Sequence, residues 1–185
     1  RLVCGNKRLH QELERKIAEF KGTPGCLSFT SGYMANLGAI TALVGHGDVV
    51  LADKLNHASL VDAVVLSRAE FKRYPHKDML ALEKLLQEAG AKKKLIVTDT
   101  VFSMDGDIAP LPEIVGLAKK YSAMIMVDEA HATGVLGHSG KGAVEYFNLQ
   151  GEIDIQMGTL SKAIGSQGAY ICASEVLINF LINKS

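Results

Sequence analysis

A chain of 185 residues, 48% hydrophobic and 22% charged, with 18 glycines and no tryptophan, has the composition of an ordinary folded domain and can bury a sizeable core. Twenty basic and twenty acidic residues cancel, and the longest basic cluster, Lys92-Lys-Lys94, has no interleaved aromatics, so nucleic acid is excluded for want of a positive field. No apolar run approaches the roughly 20 residues that span a bilayer, there is no signal-peptide pattern, and Cys4, Cys26 and Cys172 contain no C-x-x-C pair; thiols in a reducing, cytoplasmic compartment away from membranes are the expectation.

Leu9, Leu13, Ile17 and Phe20 recur at helical spacing and predict an amphipathic helix over 8–20, ended by Gly22-Thr-Pro-Gly25. A strand over 26–29 runs into Thr30-Ser-Gly32, and the apolar run 33–44 reads as a buried helix. A second strand over 48–53 precedes the turn Asn56-His-Ala-Ser59, which can cap a helix over 60–66. A strand over 70–74, a helix over 78–88 and a strand over 94–98 follow, and Pro110 and Pro112 open a helix that reaches 121. Residues 123–127 form the clearest strand, a continuous apolar run of the kind buried on both faces of a parallel sheet, and it ends abruptly in Asp128. Beyond a Gly-rich loop over 134–142, expected to be flexible, strands over 153–157 and 169–173 flank Lys162. Strands alternating with helices predict one α/β domain over 1–185, an open, mostly parallel sheet in a three-layer helix-sheet-helix arrangement. The chain starts without methionine and stops just after the apolar pattern 176–182, so a longer parent protein is expected.

In such sheets ligands bind beyond the carboxyl ends of the strands. Ser31-Gly32, Asn56-His57, Asp99, Ser103, Asp128, His131 and Thr159-Leu-Ser-Lys162 all fall just after a predicted strand or at the following helix start, so they can converge. Lys162 sits among small residues and ahead of Gly165, Gly168 and an apolar run, flanks that can bury a side chain. A lysine in a partly dry pocket reaches the neutral amine that attacks carbonyls, although the same lysine could snorkel into water. Asp128 belongs at the cleft floor, where a charge needs a partner; its alternative is to cap the next turn. His131 could be a satisfied core histidine. Asp128-Glu-Ala-His131 could supply two metal ligands, but no third has suitable spacing and no H-E-x-x-H is present, so no metal site is expected. Ser31-Gly-Tyr33 places backbone N–H groups at a positive helix end, a common way to hold phosphate. Gly137-His-Ser-Gly140-Lys-Gly142 lacks P-loop spacing, and Met104-Asp-Gly-Asp107 reads as a tight turn rather than a calcium loop. A phosphate site, a buried acid, a histidine and a carbonyl-reactive lysine together describe a site for pyridoxal phosphate.

Four motifs, Asn56-His-Ala-Ser59, Val101-Phe-Ser-Met-Asp-Gly-Asp107, Asp128-Glu-Ala-His-Ala-Thr-Gly134 and Thr159-Leu-Ser-Lys-Ala163, resemble in order and spacing those of the α-oxoamine synthases, and the likeness covers essentially the whole chain. That family has the aspartate-aminotransferase fold, which implies here the large domain of a pyridoxal-phosphate-dependent transferase. The resemblance implies that Lys162 carries pyridoxal 5'-phosphate in Schiff-base linkage, that Asp128 pairs with its pyridinium nitrogen, and that His57 stacks on the ring. Ser103 and His131 would contact the ring hydroxyl; Gly32 and Tyr33 would offer N–H groups, and Thr159 its hydroxyl, to the phosphate. Gly165 and Gly168 would let cofactor and backbone approach closely. Asp99 stands where several members carry Glu and would help to handle the acyl group.

The implied reaction condenses an amino acid with an acyl-CoA or acyl-carrier thioester, with loss of carbon dioxide. Alanine with a pimeloyl thioester is the first reading, glycine with acetyl-CoA the second; a non-catalytic subunit of a heteromeric relative and a metal-dependent hydrolase using Asp128 and His131 are rivals from other classes. The resemblance further implies a homodimer, completed by an N-terminal segment and a small C-terminal domain that these residues do not include.

Overall fold

The computed structural model describes residues 5–185; Cys4 lies outside them. Five strands, β2 (Val49–Asp53), β3 (Glu70–Tyr74), β4 (Lys94–Asp99), β5 (Met124–Asp128) and β6 (Ile155–Thr159), pair in parallel, in the order β6-β5-β4-β2-β3. Two more, β7 (Ala169–Ala173) and β1 (Gly25–Phe29), complete the seven-stranded sheet on the β6 side, and β7 runs antiparallel to both of its neighbours.

The inner strands β2, β4, β5, β6 and β7 bury residues on two faces, as their apolar runs require, whereas the edge strand β3 buries only Tyr74. On one face Val50, Val97, Met126, Met157 and Ile171 pack beneath α2 (Gly32–Leu43), α3 (Ala58–Ser67) and α7 (Glu175–Lys184). On the other, Leu51, Ile96, Ile125 and Val127 pack beneath α4 (Met79–Glu88), α5 (Leu111–Tyr121) and the short α6 (Ala143–Tyr146). The first helix, α1 (Arg8–Lys21), lays Ile17 and Ala18 on Cys26, Tyr170 and Cys172. Three layers result, as expected. The helix α6 was not legible, and the strand expected over 153–157 begins and ends two residues later.

The loop expected to be flexible over 134–142 is tied down. Lys21 and Glu129, both fully buried, form an ion pair; Lys21 also donates to the Lys141 carbonyl, and Glu129 accepts from the Val144 N–H at 2.9 Å. Cys26 and Cys172, far apart in sequence, face each other in register across β1 and β7. Among the described residues no helix is long and apolar enough to cross a membrane.

Candidate active site

Strands β4, β5 and β6 end side by side. Asp99 is in register with Asp128, and Asp128 with Met157. Side chains alternate along a strand, so Asp99 shares the face of Val97, Asp128 that of Met126, and Thr159 that of Met157. That is the face covered by α2 and α3. A cavity of about 130 Å³ lies there, and of the residues expected to meet cofactor or substrate all but Ser103, Gly165 and Gly168 line it.

Asp128 forms the floor and is 3% exposed. Its Oδ1 accepts the Ala130 N–H and its Oδ2 the Asn36 amide, each at 2.9 Å. Burial raises its pKa against the opposing pull of these hydrogen bonds and of the Lys162 charge. Asp99, 5% exposed, accepts the His57 backbone N–H at 2.7 Å; burial and the Asp128 charge push its pKa up to about 8. The site thus holds two adjacent carboxylates in surroundings that disfavour their charge, and a protonated ring nitrogen would supply the cation that the Asp128 carboxylate lacks.

His57 precedes α3 and caps it: its Nδ1 accepts from the Ser59 N–H at 3.2 Å and lies 2.7 Å from Ser59 Oγ. At the neighbouring helix start Ser31 caps α2 by accepting from Met34, which leaves the first-turn N–H groups of Gly32 and Tyr33 at the cavity. A Cβ on Gly32 would stand 3.7–4.0 Å from Met157 and Thr159, in ordinary contact without a clash. The Tyr33 side chain turns away, its hydroxyl donating to Asp62 at 3.0 Å. Thr159 Oγ1 already donates to the Gly168 carbonyl at 3.0 Å and lies 2.7 Å from Ser161 Oγ, so Ser161 joins it on the cavity wall.

Lys162 is exposed on the rim, and its side chain makes no hydrogen bond or ion pair to another described residue; the dry pocket suggested by its flanks is not built by these residues. His131 is half-buried, and its pKa is lowered by burial and by the Lys162 charge. Ser103 is exposed on the turn that the Val101–Ile108 bridge closes, outside the cavity lining. Gly165 and Gly168 shape the loop itself. Both hold left-handed backbone, φ +67° and +104°, and a Cβ on Gly168 would meet the Phe29 carbonyl at 3.0 Å, so both turn the Lys162 loop back into β7.

Two residues were missed, Asn36 and Ser161. Asn36 is 0% exposed, gives one hydrogen bond to Asp128 and one to Ser59 Oγ, and its Oδ1 has no partner among the described residues. A polar residue held so inside an apolar helix was the available signal. A buried acid, an open helix N-terminus and a rim lysine fit the pyridine, phosphate and aldehyde ends of pyridoxal phosphate. Among the described residues no three His, Cys, Asp or Glu side chains gather as a metal site.

The family model for aminotransferase class I and II matches residues 1–185. The chain is 59% identical to the 8-amino-7-oxononanoate synthase of Geobacter sulfurreducens, over all of this chain and 48% of that protein, so it spans about half the length of the curated relatives it matches. Among solved structures, a serine palmitoyltransferase from S. paucimobilis with a bound PLP–myriocin aldimine superposes with a TM-score of 0.95 at 39% identity, over 100% of this chain and 46% of that one. An 8-amino-7-oxononanoate synthase from Francisella tularensis does so with a TM-score of 0.83 at 34% identity, over 96% of this chain and 51% of that one.

Proposed function

The chain belongs to the class I and II aminotransferase family, and from that premise we propose that it is the cofactor-binding half of a pyridoxal-phosphate-dependent acyltransferase of the 8-amino-7-oxononanoate synthase type. The observation that carries this reading is the placement of Asp128, a buried carboxylate whose pKa is raised, on the floor of a cavity whose rim carries Lys162. The substrates would be alanine and a pimeloyl thioester, on CoA or a carrier protein, in biotin biosynthesis; glycine with acetyl-CoA is the second pairing. A cytoplasmic homodimer is part of the same reading.

Pyridoxal phosphate, when bound, supplies an electron sink for the pair left on the amino-acid Cα. Asp128 would keep the proton on the pyridine nitrogen, a cation that would offset the burial that raises the Asp128 pKa. Gly32 and Tyr33 N–H groups, with the Thr159 and Ser161 hydroxyls, would hold the phosphate. Lys162 Nζ would hold the aldehyde carbon covalently and, once displaced by the amino acid, take the Cα proton. His57 would lie on the ring and orient the amino-acid carboxylate, and His131, with Ser103, would face the ring hydroxyl. Asp99, protonated below a pKa of about 8, can donate a proton toward the acyl oxygen where its developing charge needs one. The presence of Lys162, Asp128 and His131 together disfavours a non-catalytic subunit.

The full-length protein should be yellow as purified, and borohydride should remove the colour while fixing the cofactor to the Lys162 peptide. Assays pairing alanine or glycine with a panel of acyl thioesters should release CoA fastest from alanine and the pimeloyl thioester. A colourless protein, or one that releases CoA from no thioester, defeats the reading.

A further inference from the structure

Asn36 and Ser59 touch none of the atoms assigned above to substrate, yet they join two residues that do. We infer that they are positioning residues that hold His57 as the tautomer protonated at Nε2, so that the ring offers a hydrogen-bond donor to an acceptor in the cleft, in particular a carboxylate. The inference rests on the proposed reading only in naming the amino-acid carboxylate as that acceptor.

Four side chains form one hydrogen-bonded line. The Asn36 amide nitrogen commits one hydrogen to Asp128 Oδ2 and the other to Ser59 Oγ, both at 2.9 Å. Turning the amide over would set Oδ1 against the Asp128 carboxylate, so Asp128 fixes its orientation; the cost is the unpartnered Oδ1. Having accepted from Asn36, Ser59 Oγ has its own proton to give, and His57 Nδ1 lies 2.7 Å away. The Ser59 backbone N–H points at the same nitrogen at 3.2 Å and closes the cap of α3. Two donors converge on Nδ1, which must therefore carry the lone pair, and the ring proton sits on Nε2. The other tautomer would face the Nδ1 hydrogen against the Ser59 N–H and leave the Ser59 hydroxyl proton without an acceptor among the described residues. The network places both ends at the cavity: Asp128 on its floor and His57 on its wall. The charge on Asp128 thereby orients the amide that sets the histidine.

Solid-state NMR of the full-length protein labelled with ¹⁵N-histidine reads the result directly, with and without pyridoxal phosphate, the His57 signals being those lost in His57→Gln. We expect an unprotonated, hydrogen-bonded Nδ1 and a protonated Nε2 in both forms. Ser59→Ala, which leaves only the backbone N–H on Nδ1, should move the Nδ1 resonance toward a more weakly bonded imine nitrogen or admit an Nδ1–H population, and Ser59→Thr, which keeps the hydroxyl, should restore the wild-type pattern. An Nδ1–H signal in the wild-type protein, or a Ser59→Ala spectrum identical to wild type, overturns the inference; if Ser59→Ala does not fold, the wild-type spectrum alone decides. Because the cofactor-free protein is read as well, a correct tautomer in a protein without cofactor binding or CoA release would sink the functional reading and leave this one standing.

Discussion

Asp99 and Asp128 stand in register at the ends of adjacent parallel strands, two carboxylates exposed by only 5% and 3%. Burial and the Asp128 charge push the Asp99 pKa to about 8, far above the 3.8 of an ordinary aspartate. The unfolded chain therefore releases this proton near pH 4 while the folded chain keeps it, so stability falls as pH rises from about 4 to about 8, by at most about 1.4 kcal/mol per pH unit. Asp99→Asn keeps an oxygen for the His57 N–H and removes the titration. In urea unfolding of the full-length protein without cofactor, its stability relative to wild type should climb between pH 5 and pH 8; a difference that stays flat across that range refutes the shift.

The ion pair between Lys21 and Glu129 joins the end of α1 to the residue after Asp128, with both side chains at 0–1% exposure. Removing one partner strands the other charge in a dry interior. Lys21→Met or Glu129→Gln alone should cost about 3–5 kcal/mol, whereas Lys21→Met with Glu129→Leu should recover part of it, because an apolar pair leaves no buried charge but strands the Val144 N–H and the Lys141 carbonyl. Chemical unfolding of the three variants checks this; single variants that lose less than about 1 kcal/mol would contradict it.

The contrast between what could be read and what could not follows the range of each interaction. The run 123–127 ending in Asp128 was legible because a strand buried on both faces must be apolar throughout, so the first charged residue marks its end. Asp99, His57, His131 and Thr159 followed from the same logic, applied strand by strand. Lys21 with Glu129 was not legible, because its partners lie 108 residues apart and each looks like a surface charge in its own window. Asn36 was hidden for the same reason: only the folded chain brings Asp128, 92 residues on, against it. The reversal of β7 leaves no local mark, since a fully buried strand reads alike in either direction. Lys162 was placed correctly at the cleft but assigned a dryness that its small neighbours do not provide.

The loop that carries Lys162 depends on Gly168. Its carbonyl accepts from Leu160 N–H at 2.9 Å and from Thr159 Oγ1 at 3.0 Å, and its φ of +104° leaves no room for a Cβ beside the Phe29 carbonyl. Gly168→Ala should cost about 1–3 kcal/mol and weaken cofactor binding by disturbing Thr159. Gly165→Ala, also at positive φ but facing open space, should cost about 1 kcal/mol and spare the affinity. Thermal unfolding and titration with pyridoxal phosphate separate the two; equal losses would mean that crowding against Phe29 does not matter.

His76 clamps the turn that presents Ser103. Its Nδ1 meets Asp53 at 3.0 Å, its Nε2 meets Asp107 at 2.9 Å, and Lys77 reaches Asp107 as well. Burial of the ring pulls its pKa down, but the hydrogen bonds and charges of the two carboxylates outweigh this and leave it raised. For Asp107, partial burial pulls upward and is outweighed by Lys77 and His76, which leave its pKa lowered. The histidine's contribution is fully present below its unfolded pKa of about 6.5 and is lost as pH rises through its raised folded value. The aspartate's is present above about 4 and is lost as pH falls through its lowered one. The clamp is therefore tightest between about pH 4 and 6.5. Amide hydrogen exchange at Phe102 and Gly106, whose N–H groups bond to Asp107 and Phe102 within this turn, should show protection, after correction for intrinsic rates, that declines above neutral pH. In His76→Gln that decline should vanish. Protection that falls equally in both proteins would show that another group holds the turn.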